Sequence, residues 1–201
     1  MKKIVSFALL IAGMSACKKT DQALSTYEVN STTSKIAWLG SAIDHHHIGA
    51  FALSGNVTTS GTTVTGGDFT VPISSIVDYD LQDPLKQQLL NDLKSANFFN
   101  IAVYPESKFH ITKVAPYTGP DSIAVLGANY LVTGDFTMIG ETHQLSFPAK
   151  ISITGDSLTT VATFNLDRTQ WGMTIYNDST QRNYIYPTVE IDLEIQAGKT
   201  K

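Results

Sequence analysis

The chain has 201 residues, a formal net charge of −4, 42% hydrophobic residues and one cysteine. That length gives one ordinary domain with a sizeable core. The acidic balance, with no cluster of Lys and Arg, argues against nucleic acid as a partner, and the lone Cys17 excludes an internal disulfide.

At the start of the chain, Lys2 and Lys3 precede an apolar run from Ile4 to Ala12, broken only by Ser6, and Gly13 to Ala16 lead into Cys17. A basic start, a short apolar core and small residues before a cut describe a secretory signal peptide over residues 1–16. The run is too short to span a bilayer, which takes about 20 apolar residues. Ser15, Ala16 and Cys17 resemble the end of a lipobox, with Met14 where leucine is common. The expectation is therefore a lipoprotein, cleaved before Cys17 and acylated there. An unpaired thiol in an exported chain fits that use, and two or more acyl chains anchor stably where one holds only marginally. The polar stretch Lys18 to Thr26 completes an acylated N-terminus and tether over residues 17–26. Lys18 is not the aspartate that retains some lipoproteins at the inner membrane. The expected location is the cell envelope, lipid-anchored, with the outer membrane favoured and the domain on its periplasmic or surface face.

Beyond the tether the pattern is mostly β. Ile36 with Trp38, then Phe51, Leu53 and Val57, then Phe69, Val71 and Ile73 each occupy one strand face. One helix interrupts: Asp83 can cap it, Pro84 suits its first turn, and Leu85, Leu89, Leu90 and Leu93 recur at helical spacing. The spacing predicts a helix near residues 84–95, ending before Asn97, Phe98, Phe99 and Asn100. Phe109 and Ile111 lie on the inner face of the next strand, which turns His110 to solvent. Tyr130, Val132, Phe136 and Met138 share a face across Gly134, and a turn at Gly140 and Glu141 leads to Leu145, Phe147, Ile151 and Ile153. Leu158, Ala162, Phe164 and Leu166 follow. The clearest strand is the last, where Val189, Ile191, Leu193 and Ile195 alternate with Glu190, Asp192 and Glu194. Many short strands with regular turns give an all-β antiparallel sandwich or barrel. The helix needs an apolar seat, either a sheet face or the open end of a barrel.

Several segments together make the resemblance specific. Lys94 to Phe99 (Lys-Ser-Ala-Asn-Phe-Phe), then Tyr104-Pro105 and Phe109, resemble the signature of the YceI-like family, a helix running into Ser-x-x-Phe-Phe, a Tyr-Pro and a strand phenylalanine. Val132 to Thr137 with Gly140 and Thr142 is similar to the family's next hairpin, and Asp167-Arg168-Thr169 with Trp171-Gly172 to its late Asp-Arg-Thr segment. With Trp38 and His47-x-Gly49 to Phe51, the resemblance covers residues 27–197. It implies an extended lipocalin-like antiparallel β-barrel that holds a long apolar chain, a polyisoprenoid or similar lipid, as carrier or store. The pocket lining then falls to Trp38, Phe51, Phe69, Val71, Phe98, Phe99, Phe109, Tyr130, Val132, Phe136, Phe147, Phe164 and Trp171. Asp167 and Arg168 read first as a structural ion pair or turn, and Arg168 is the candidate for a polar headgroup contact.

An eight-stranded barrel is about the size at which side chains fill the interior or leave room for one small ligand. Burying a methylene contributes about 0.8 kcal/mol, but a prenyl chain in a bilayer is already out of water. Its transfer into the barrel is therefore nearly balanced, which suits transit or storage rather than very tight binding. Other classes compete less well. No Gly-x-Ser-x-Gly is present and an acylated Cys17 is unavailable, so no enzyme and no cofactor are expected. His45, His46 and His47 offer imidazoles suited to zinc or copper, but on a strand only His45 and His47 share a face. A structural zinc site needs four ligands, so His143 or Asp44 would have to complete it. A polar loop or barrel-rim triplet without metal is the preferred reading. The alternatives are a metal-binding periplasmic protein using His45 and His47, and a stress-related periplasmic protein with a filled barrel and no ligand. The partners expected are the lipid and the membrane, with a homodimer left open.

Overall fold

The computed structural model describes residues 23–119 and 124–201. The expected signal peptide, Cys17 and most of the expected tether lie outside the described residues. Eleven strands follow in chain order: β1 (Leu24–Val29), β2 (Lys35–Ala42), β3 (His46–Phe51), β4 (Ser54–Ser60), β5 (Thr63–Pro72), β6 (Val77–Asp78), β7 (Glu106–Pro116), β8 (Tyr130–Met138), β9 (Glu141–Thr154), β10 (Ser157–Asp167) and β11 (Ile185–Lys199). One α-helix, α1 (Leu85–Lys94), separates β6 from β7.

All the pairings are antiparallel. Strands β1, β4, β5, β7, β8, β9, β10 and β11 pair in that order, and β1 returns to β11, closing an eight-stranded barrel. Closure removes the free edges that a sheet otherwise exposes. The extension comes from the length of β11. Its last residues pair with β1, while Ile185 to Glu194 pair with β2, which carries β3 and then β6. At 15 residues, β11 spans roughly 50 Å at about 3.3 Å per residue. The expected extended lipocalin-like barrel is what forms.

Alternation sets the register. Across β10 and β11, Ala162 faces Leu193, Phe164 faces Ile191 and Leu166 faces Val189, all on the inner side. Their neighbours Glu190, Asp192 and Glu194 are exposed. Slipping one strand by a residue would bury three carboxylates, which fixes the pairing. The core divides in two. One cluster, with Leu53, Val57, Phe69, Phe147, Leu158 and Ile195, fills the closed ring; the other, with Trp38, Ile76, Met138, Trp171 and Met173, sits under α1.

Three local expectations are corrected. Asp83 does not cap α1: Pro84 holds the N-cap position and no side chain caps the helix, because Asp83 stands one residue too early. Leu85 is also exposed, and only Leu89, Leu90 and Leu93 reach the apolar interior. The turn after β8 is Ile139-Gly140, both at positive φ (52° and 79°), one residue before the expected place. A two-residue hairpin of this kind needs positive φ at both positions, and a β-branched residue hides that requirement. Finally, β1 starts at Leu24, inside the stretch read as tether. Leu24 and Thr26 pair with Ser60 and Thr58, so backbone hydrogen bonding holds a segment whose side chains look polar.

Candidate ligand cavity

Two glycines admit the large rings that shape the interior. A Cβ on Gly49 would lie 2.5 Å from the Trp38 ring and 1.9 Å from the Val77 carbonyl. A Cβ on Gly134 would lie 2.5 Å from the Phe109 ring and 2.4 Å from the His110 carbonyl. Both strands thus omit a side chain where an aromatic ring crosses their backbone.

Two cavities remain among these side chains. The first, about 120 Å³, lies within the closed ring, lined by Phe69, Val71, Phe109, Val132, Phe136, Phe147 and Phe164 together with Ile36, Leu53, Val57, Ile111, Leu193 and Ile195. The second, about 200 Å³, lies at the extended end, lined by Trp38, Phe51, Ile73, Ile76, Met138 and Val189 from the barrel side and by Leu89, Leu93, Phe98 and Phe99 from α1 and the turn after it. Ile36, Val71, Phe136, Leu166 and Ile191 border both, so the chambers share a wall. Each is comparable to an apolar cavity of about 150 Å³ that stays dry and accepts a small aromatic ligand. Phe147 stacks on Phe164 at 4.3 Å, and Phe51 meets Phe99 edge-on at 5.6 Å.

Eleven of the thirteen aromatic and valine positions expected to line a pocket border one chamber or both; Tyr130 and Trp171 do not. Trp171 is buried and donates its indole N–H to the Phe136 carbonyl at 2.9 Å, with the His143 ring 5.4 Å away. It braces the wall from behind. The aliphatic lining, Ile36, Leu53, Val57, Ile111 and Ile191 among it, went unmarked in the sequence because every buried strand residue gives the same alternating signal.

Polar groups are few. Thr160 borders the first chamber, and Gly40, His47, Ser107 and Arg168 the second. The Trp38 indole nitrogen is buried without a hydrogen-bond partner. Arg168 is 3% exposed, and its guanidinium donates to the carbonyls of Met173, Ile185 (2.9 Å) and Tyr186 (3.3 Å). Three of its five N–H groups are therefore committed to backbone between the end of β10 and β11. Burial pushes its pKa down, opposed by Asp167 and Tyr184. Asp167 forms a turn rather than a close ion pair with Arg168: it accepts from the Thr169 N–H at 3.0 Å and hydroxyl at 2.6 Å. These bonds hold its carboxyl below the usual carboxylate range against its burial.

The histidines separate. His45 lies before β3, exposed, with Nδ1 2.7 Å from Asp44 Oδ1; its ring centre is 5.1 Å from that of His47. His110 is exposed beside Asp68. His47 alone of the triplet borders a chamber, and its Nδ1 is 2.9 Å from Asp80 Oδ2. Among the described residues, neither Asp44 nor His143, which a metal site on the triplet would have required, forms a ligand group with it; Asp78 and Asp80 stand there instead. β3 pairs with β6 through Gly49–Asp78, which brings in a segment some thirty residues away in sequence.

The family model for the YceI-like domain matches residues 27–197. No curated protein matches the chain by sequence. Among solved structures, the chain is similar to BcnA of Burkholderia cenocepacia, at 18% identity over 84% of this chain and 99% of that one, with a TM-score of 0.67. It is also similar to the YceI protein of Campylobacter jejuni, at 14% identity over 99% and 94%, with a TM-score of 0.52. A mutant of the latter was solved with a monobromobimane guest, at the same identity and TM-score. At such identities the likeness is one of fold. The family match over the whole barrel, with the order of strands around it, establishes that the chain belongs to the YceI-like family.

Proposed function

We propose that this chain is a lipid-anchored protein of the cell envelope whose barrel holds one long apolar chain, a polyisoprenoid or similar lipid, as a carrier or store. The observation that carries this reading is the pair of adjoining chambers with almost wholly apolar linings. Family membership supports it, since YceI-like barrels bind hydrophobic ligands of this kind. The interior offers shape and dryness rather than polar recognition, and that suits a chain exchanged with a bilayer at little net cost. The reading is that of a binding protein rather than an enzyme. The chambers favour this over a filled barrel without ligand.

Titration of the full chain with a fluorescent polyprenyl analogue tests the proposal. One equivalent should bind, and Val132→Trp, which fills part of the first chamber, should weaken binding at least tenfold. Overpacking a filled core costs typically 1–3 kcal/mol, so a large drop in Tm, together with no binding by the parent, would show the ring to be solid. The anchor is tested separately. Cys17→Ser should abolish incorporation of a fatty-acid analogue and release the protein from membranes, whereas labelling that persists in the variant would refute acylation at Cys17.

A further inference from the structure

His47, Asp78 and Asp80 converge where β3 meets β6, each offering one ligand atom, all within 4.8 Å of one another. It is the one such group among the described residues. Two backbone N–H groups fix the carboxylates. Ile48 donates to Asp80 Oδ1 at 2.8 Å, and Leu81 donates to Asp78 Oδ1 at 2.8 Å. That leaves the second oxygen of each. Asp80 Oδ2 lies 2.9 Å from His47 Nδ1. Asp78 Oδ2 is buried and has no hydrogen-bond partner, in a residue only 3% exposed. A carboxylate oxygen of Asp78 and one of Asp80 lie within 4.8 Å of each other. No Lys or Arg forms an ion pair with either acid among the described residues.

A buried, unpartnered carboxylate oxygen against a second carboxylate carries an uncompensated cost. A cation between them removes it. We infer that His47, Asp78 and Asp80 form a divalent metal site beside the second chamber, which His47 borders, taking a first-row transition ion such as Zn²⁺. One imidazole and two carboxylates neutralise a divalent charge. Mixed nitrogen and oxygen donors suit zinc, manganese or iron better than calcium or magnesium. Zinc bonds of about 2.0–2.2 Å set tetrahedral ligand atoms roughly 3.4 Å apart, so the three ligand atoms, now within 4.8 Å of one another, close on the ion by side-chain adjustment. Three protein ligands leave at least one coordination position open. The site stands independently of what fills the chambers.

The test uses the full chain, stripped with a chelator and then titrated with Zn²⁺ while calorimetry records stoichiometry and thermal unfolding records Tm. An ion that binds only the folded state stabilises it by mass action. One Zn²⁺ per chain should bind, and Tm should rise by about 5–10 °C at a hundredfold excess over Kd. His47→Ala and Asp80→Asn, both at the more exposed side of the group, should abolish the rise. A His45→Ala/His46→Ala double variant should keep it. A rise lost only in the double variant would assign zinc to the exposed histidines and overturn the proposal. No zinc effect on the parent chain, with Asp78→Asn raising Tm, would also overturn it and identify a proton shared between the two acids instead.

Discussion

Asp167 closes the end of β10 by accepting from both the N–H and the hydroxyl of Thr169. An oxygen capping a helical turn in this way contributes about 0.5–2 kcal/mol. Asp167→Ala should therefore lower stability by about 1 kcal/mol at neutral pH. The pH dependence follows from its depressed pKa. A carboxyl held lower in the folded state than in the unfolded one stabilises above the unfolded value, near 3.9, and that contribution fades as pH falls through the folded value. Unfolding curves of parent and variant should converge below about pH 4. A gap that stays constant to acid pH would mean that the charge of Asp167 contributes nothing. The same turn shows what the sequence conveys at this scale. The Asp-Arg-Thr run marks a structural feature, but its partners are the carbonyls of Met173, beyond the turn, and of Ile185 and Tyr186, at the start of β11 before its clear alternation begins.

At the scale of elements, legibility follows the contrast between a strand's two faces. β11 is plain in the sequence because carboxylates alternate with aliphatic residues over its outer and inner sides. β1 is hidden because its side chains are mixed and its place depends on pairing with β4 and β11. β6 is two residues long, too short for any periodicity, yet it delivers Asp78 to His47. α1 is legible from its leucines, but its actual footing is thin: none of its residues is buried, and Leu89, Leu90 and Leu93 are only partly covered. An element with few buried contacts opens at lower free energy than the body that carries it. Hydrogen exchange should therefore show α1 amides exchanging through a local opening, well before those of β8 to β11. Equal protection of helix and barrel would show that α1 does not open separately.

For the whole molecule, the closed ring supplies stability while the extended end supplies room. The ring is closed by β1 on β11, and its inner cluster is dense enough to leave the smaller chamber. At the other end, Leu89 and Leu93 of α1 border the larger chamber together with Trp38 of β2 and Phe51 of β3. Fold class and the inner faces of the strands could be read from alternation, because a barrel repeats one rule on every strand; which inner residues border a chamber could not. Nor could the division into two chambers. It depends on where Trp38, Phe51, Phe98 and Phe99 meet across strands and helix, at the second chamber alone. Whether the chambers hold lipid is read by native mass spectrometry of the full chain, purified gently from its own cells. One apolar molecule should be retained per barrel, released by organic extraction and regained on mixing with vesicles that contain a polyprenol. A chain that emerges bare and takes up nothing from such vesicles would contradict lipid binding.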